Sequence, residues 1–203
     1  MRDERPYCSQ LVYEKSMRPD KLEFLSRYLG RDKIEHCMRV AASAREIASR
    51  FGADPERAEL AGLLHDVARD LAPEEILRLA VEHGIMVTQV GRASPVVLHG
   101  GVGAALARSE LGVDDEEVLM AISSHVTGRR GWTRLEQVVY LADKVEPGRS
   151  YPGVEQIRNM LAAGDFRGAL RQALIASVSY CSEAGCPVDP ETVVVLGELS
   201  RLE

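Results

Sequence analysis

The segment AELAGLLHDVARD, residues 58–70, decides the architecture. Leu60, Leu63, Leu64 and Val67 make it apolar on more than one side, which predicts a helix at the centre of a helical fold rather than on its surface. Asp54 and Pro55 open that helix as N-cap and first helical residue. Into this apolar setting the chain puts His65 and Asp66 side by side, and adjacent helical residues point about 100° apart. Ala58, Ala61 and Gly62 lie around and below His65 and are expected to leave open space beside it.

Upstream, a helix is predicted from Asp32, where Asp32 and Glu35 resemble a capping box, to Gly52. Its apolar stripe is Ile34, Cys37, Ala41, Ala44, Ile47, Ala48 and Phe51, with His36 at the inward edge. Before it, Pro19 to Leu29 forms a first helix that ends at Gly30. Downstream, a helix runs from Pro73 to the His83-Gly84 pair, and residues 85–98, with Gly91, Pro95 and no helical period, read as a loop. His99 closes that loop just before the helix GGVGAALARSEL. Asp114 caps the next helix, in which Val118, Ala121, Ile122 and His125 share a face where leucine would be the routine occupant. Thr133 and Glu136 form a capping box for a helix through Val145, with Leu135, Val138, Val139 and Ala142 as its buried stripe and Asp143 one step off the edge. Three more helices follow, near 153–163, 165–184 and 190–201. The expected fold is all-α: a polar N-terminal arm at 1–17, then a single helical bundle over 18–203.

Composition agrees with a packed soluble domain: 203 residues, 45% hydrophobic and 28% charged, with only 5% aromatic. A net charge of −6 argues against a general nucleic-acid binder, so an anionic substrate needs a local positive site. The four cysteines, Cys8, Cys37, Cys181 and Cys186, show no metal-finger spacing; reduced thiols are expected, with Cys37 in the core. No apolar run is long enough for a membrane span, and MRDERPYCSQ lacks a signal-peptide core, so a cytoplasmic protein is expected.

One inward-facing histidine is ordinary, and Asp143 alone serves equally well bonded to an arginine. Convergence changes the reading. His36, His65, Asp66, His99, His125 and Asp143 each stand on or beside an apolar face, and burying so many unpaired polar groups is costly. A metal satisfies them together, and imidazole with carboxylate suits a divalent transition ion. Six ligands with one shared carboxylate can hold two ions, an arrangement suited to phosphoester hydrolysis.

The order His…His-Asp…His…His…Asp resembles that of the HD-domain metal-dependent phosphohydrolases. EHCMRV, AGLLHDVARD, VLHGGVGA, ISSHVTG and YLADKVEPGRSYPGVEQIR extend the likeness over about Leu22 to Leu174. Together they look like the YqeK-like branch, the symmetrical diadenosine tetraphosphate hydrolases; Arg69 departs from it where lysine is more usual. The resemblance implies that His36, His65, Asp66 and Asp143 hold a first ion, and that Asp66 bridges to a second completed by His99 and His125. It also implies iron; chemistry alone admits iron, manganese, cobalt or zinc. The implied reaction is cleavage of diadenosine tetraphosphate into two ADP by a water that the ions make acidic, with Asp66 and Arg69 catalytic.

Arg69, four residues after His65, is expected on the same helix face, and with Lys144 and Arg149 it is a candidate phosphate contact. Arg69 and Arg149 fit structural salt bridges equally well. Thr127 and Gly128 offer a hydroxyl and a backbone N–H just past His125, whereas Arg129 and Arg130 are expected to be solvated. Gly100, Gly101 and Gly103 follow a loop rather than a strand, so they suggest close helix packing and not a dinucleotide loop. His83 is expected at a helix end, and Glu35 is sufficiently explained as a cap. Two other readings stay open: an HD-domain nucleotidase or phosphodiesterase for another nucleotide (an alarmone, a cyclic dinucleotide), and a non-catalytic metal-dependent nucleotide sensor. A small-molecule nucleotide is the expected partner, with no nucleic acid or membrane; a homodimer is left open.

Overall fold

The computed structural model describes residues 19–200, and every regular element among them is a helix. The expected arm at 1–17 lies outside the described residues, as does Cys8. In chain order the helices are α1 (Pro19–Tyr28), α2 (Arg31–Phe51), α3 (Pro55–Leu64), α4 (Pro73–Glu82), α5 (Gln89–Ala93), α6 (His99–Leu111), α7 (Glu116–Ser124), α8 (Arg134–Val145), α9 (Val154–Ala162), α10 (Phe166–Ala184) and α11 (Pro190–Ser200). No helix among the described residues is long and apolar enough to cross a membrane.

As its apolar sides require, α3 is central. It packs on α2, α7 and α8 and touches α6. Asp54 caps it through Oδ1, which accepts from the N–H groups of Glu56 (2.9 Å) and Arg57 (3.0 Å), with Pro55 at the first position. Gly62 does not leave space near the site. A Cβ there would lie 3.1 Å from the Cα of Ala41 and 3.2 Å from the Cβ of Ala44, so the glycine lets α3 approach the α2 backbone. On α2, Cys37, Ala41, Ala44, Ile47 and Ala48 are buried, and Ile34 and Phe51 pack at the stripe's edges.

Three local expectations change. The cap of α2 is Gly30 with no side-chain bond, and Glu35 pairs with Arg31 at 3.1 Å, so the Asp32/Glu35 pair is not a capping box. Its helix begins one residue earlier, which leaves Asp32 inside the first turn. Asp115, not Asp114, caps α7, because its Oδ1 reaches the N–H groups of Glu117 (3.0 Å) and Val118 (3.3 Å). The expected loop at 85–98 contains α5, opened by the Thr88 hydroxyl on the Gly91 N–H (3.1 Å), and a 3-10 helix at Pro95–Leu98. Both pieces are too short to show a helical period.

The Thr133/Glu136 capping box of α8 is present in both directions. Its glutamate is fully buried and also binds Arg129, Nε to Oε1 at 2.6 Å and Nη2 to Oε2 at 2.8 Å. Arg129 is therefore no solvated side chain: a buried carboxylate needs a counter-charge and takes the nearest one. Arg130 is tied to α11, its N–H to Glu191 (2.9 Å) and its Nε near Glu198 (3.4 Å). These bonds, with the Thr192 hydroxyl on Thr127 O (2.9 Å), clamp α11 over the loop that follows α7.

The glycines after His99 do mark close packing. A Cβ on Gly100 would fall 2.6 Å from Ser123 O and 3.0 Å from Ile122 O, which are backbone atoms of α7 and cannot swing away. Gly100→Ala is expected to cost about 1–3 kcal/mol by forcing α6 from α7. Urea unfolding checks this; a loss below a few tenths of a kcal/mol would show that the helices part freely.

Candidate metal centre

Three of the four inward histidines stand in the same local setting. His65, His99 and His125 are each the first residue past a helical run: α3, the 3-10 helix and α7. Each Nδ1 bonds the carbonyl three residues earlier, at 2.7 Å to Gly62, 2.5 Å to Val96 and 2.7 Å to Ile122. Helix ends leave carbonyl lone pairs to spare, and the Val96 carbonyl takes the His99 ring in addition to the His99 backbone N–H. A carbonyl only accepts, so Nδ1 carries the proton and the Nε2 lone pair faces the interior. His36, inside α2, reaches the same state differently, with Nδ1 3.1 Å from Oε1 of Glu146.

These nitrogens meet around Asp66, whose two oxygens face different pairs. Oδ1 lies 3.0 Å from His99 Nε2 and 3.5 Å from His125 Nε2. Oδ2 lies 3.8 Å from His36 Nε2 and 3.7 Å from His65 Nε2. Asp143 Oδ1 joins the second group, 3.2 Å from His36 Nε2 and 3.7 Å from His65 Nε2. All six residues are buried. His36–His65–Asp66 and Asp66–His99–His125 each place their ligand atoms within 4.8 Å of one another.

Three observations show that a cation fits. His65 Nε2 is buried with no hydrogen-bond partner, although its residue is 0% exposed. The Nε2 atoms of His99 and His125, both unprotonated by the argument above, face each other at 3.1 Å, where two lone pairs repel unless a cation lies beside them. The guanidinium of Arg149 bonds Asp143 Oδ1 and comes within 3.5 Å of His36 Nε2, a positive group standing in at the first ligand set.

The electrostatics match. Burial lowers the pKa of His99 and of His125 against the pull of Asp66, which keeps both rings neutral and able to bind metal. Burial also opposes protonation of His36, but Asp143 and Glu146 outweigh it and raise that pKa. Burial works against charge on both aspartates, yet both are held well below the usual range, Asp143 by the neighbouring Lys144 ammonium first of all.

Among the candidate phosphate contacts, Arg149 and Lys144 are both drawn to Asp143, Arg149 also through Nε to its backbone carbonyl (2.8 Å) and Lys144 through Nζ to Oδ2 (2.8 Å). Arg69 is exposed, with no side-chain bond among the described residues. The helix has ended at Leu64, and turns closed by Val67 N to Leu64 O (3.1 Å) and Arg69 N to Asp66 O (2.8 Å) replace it. The four-residue relation to His65 therefore lapses, and Arg69 is instead the i+3 neighbour of Asp66. The Thr127 hydroxyl bonds Gly128 O (2.9 Å) and the Gly128 N–H bonds Ser124 O (2.8 Å), so both donors are engaged in their own turn. His83 is exposed at the C-cap of α4.

Sequence reasoning missed Glu146, Arg39 and Lys33. Lys33 Nζ is 3.5 Å from Asp66 Oδ2 and partly exposed; its place three residues before His36 was the available signal. For Glu146 the signal was an acidic residue at a helix C-terminus, where the dipole disfavours negative charge unless a partner compensates.

The fold and the paired histidine–aspartate groups define a class. A model of the HD domain matches residues 34–148, more than half of the chain. The symmetrical bis(5'-nucleosyl)-tetraphosphatase of Bacillus subtilis is 37% identical over 86% of this chain and 93% of its own length. That of Halalkalibacterium halodurans is 32% identical over 88% and 94%. The crystal structure of a "predicted HD superfamily hydrolase involved in NAD metabolism" from Clostridium acetobutylicum superposes with a TM-score of 0.85 at 31% identity, covering 94% of this chain and 98% of that one. The chain belongs to the HD domain family, in the branch that these bacterial relatives represent, and with that family it shares dependence on a divalent metal.

Proposed function

We propose that this protein is a metal-dependent hydrolase that cuts diadenosine tetraphosphate symmetrically into two ADP. One observation supports it above the others: Asp66 turns one oxygen to each of two histidine pairs, the arrangement of a carboxylate shared between two ions. His36, His65, Asp66 and Asp143 would hold one ion and Asp66, His99 and His125 the other. We assign both as iron, with manganese, cobalt or zinc as substitutes. When bound, such ions supply charge that offsets that of the phosphates and draws down the pKa of a water toward about 7.

The remaining work falls to side chains of this chain. The i−3 carbonyls keep three imidazoles in one tautomer, so no proton has to leave Nε2 before it can act as a ligand. Lys33, Lys144 and Arg149 set positive charge beside the ligands, and Arg69 follows Asp66 by three residues, a charge distribution that would attract a polyphosphate to a protein of net charge −6. Thr127 and Gly128 shape the turn beside His125. The leaving group is a phosphate anion, so it departs without a strong general acid. Cys37, Cys181 and Cys186 are all free thiols, which suits a cytoplasmic setting.

Product analysis of the iron-loaded protein tests the reading. Diadenosine tetraphosphate should give ADP alone. Formation of AMP with ATP would rule out symmetrical cleavage, and absence of turnover, with metal bound, would move the substrate to another nucleotide or the protein to a sensor.

A further inference from the structure

His36 is the one site histidine oriented by a charge. The other three donate to backbone carbonyls, which are neutral and weakly polarising; His36 donates to a carboxylate. That carboxylate is itself built in. Glu146 leaves α8 in an extended conformation three residues after Asp143, so its side chain turns back toward α2. Only 2% of Glu146 is exposed. Its Oε2 accepts from Arg39 Nε (2.7 Å) and from the Gly148 N–H (2.6 Å), which leaves Oε1 for His36. The position of Gly148 is equally constrained: a Cβ there would come within 2.9 Å of Arg39 Nε and Nη2 and 3.0 Å of Glu146 Oε1. A charge held by three partners at a helix C-terminus, against the dipole, is not incidental packing. An anionic partner makes an imidazole a better donor through its other nitrogen.

We propose that Glu146 is a positioning residue that makes His36 the strongest imidazole ligand, so that the His36–His65–Asp66–Asp143 half takes up metal first and releases it last. The His99–His125–Asp66 half, with one carboxylate to share and two carbonyl-oriented rings, is the weaker and exchangeable one. This rests on the metal-centre reading above and goes beyond it by ranking the two halves and naming the group that ranks them.

The test is titration of the metal-stripped full-length protein with Co²⁺, following heat and the visible absorption of the bound ion. Wild type should bind in two steps of different affinity. Glu146→Gln, isosteric but uncharged, should weaken the tighter step about 10–100-fold and move the weaker step less than about threefold. Arg39→Met removes the other side of the same carboxylate while keeping its charge beside His36, and should leave the tighter step within about threefold of wild type. Equal weakening by both variants would overturn the proposal in favour of a purely structural role, as would an unchanged tighter step in folded Glu146→Gln. If glutamine unfolds the chain, imidazole ¹⁵N resonances of the wild type decide instead: His36 must shift at lower Co²⁺ than His99 and His125, and the reverse order overturns the proposal. A wild type that takes up no cobalt would sink the metal reading itself, a distinct result.

Discussion

Asp66→Asn should strip metal from both halves of the site and reduce turnover of the nucleotide by far more than about a hundredfold. Loss of a group that merely orients a ligand costs about 10–100-fold in metal affinity or activity, and Asp66 stands closer to the chemistry than any such group. Asparagine keeps the volume but offers no negative charge and only one accepting oxygen. Both Oδ1, 3.0 Å from His99, and Oδ2, 3.8 Å from His36, would lose their role at once. His99→Ala, by contrast, should remove the ion of one half and spare the other. Metal analysis of the two variants beside wild type separates the cases, with circular dichroism to confirm the fold. Retention of both equivalents by Asp66→Asn would refute the shared-carboxylate reading.

The largest effect on stability should come from Glu136→Ala. Glu136 is fully buried and accepts from the Ser124 hydroxyl (2.9 Å), the Thr133 N–H (2.7 Å) and two nitrogens of Arg129 (2.6 and 2.8 Å). Removing one partner of such a pair leaves donors without acceptors, and breaking buried pairs costs about 3–5 kcal/mol. Arg129 is partly exposed and can regain water, so we expect about 3 kcal/mol, or roughly a 6–12 °C fall in Tm for a chain of this size. Thr133→Ala, which removes only the cap, should cost about 1 kcal/mol. A fall in Tm no greater for Glu136→Ala than for Thr133→Ala would show that the Arg129 and Ser124 bonds contribute nothing. Because Ser124 precedes His125, the Glu136 variant should also weaken metal binding at the His99–His125 half.

Much of this was legible beforehand because its causes are local. Asp54 with Pro55, and Thr133 with Glu136, announce their helices through bonds that span two or three residues. Where two adjacent residues can each cap, as Asp114 and Asp115 can, a single sequence does not say which will, and the structure chose the second. Arg69 shows how a periodicity argument fails: counting in fours assumes that the helix continues, and it stops at Leu64. Arg129 was misread because its partner is buried seven positions away, across a turn whose course the sequence leaves open.

What the sequence determined by itself is the longer helices, their buried faces, and six ligand-type side chains on or beside those faces, but not the short α5 and 3-10 turns between Ile85 and Leu98. Hydrophobic period and capping chemistry act over a few residues, so they can be read from the order of the residues alone. Only the tertiary structure decided which oxygen of Asp66 faces which pair, that Lys33 comes to the rim, and that Glu146 orients His36. Those relations join residues as many as 110 positions apart. They follow from how closely α2, α3, α6, α7 and α8 approach and how far each is rotated, and close packing of the whole core sets both.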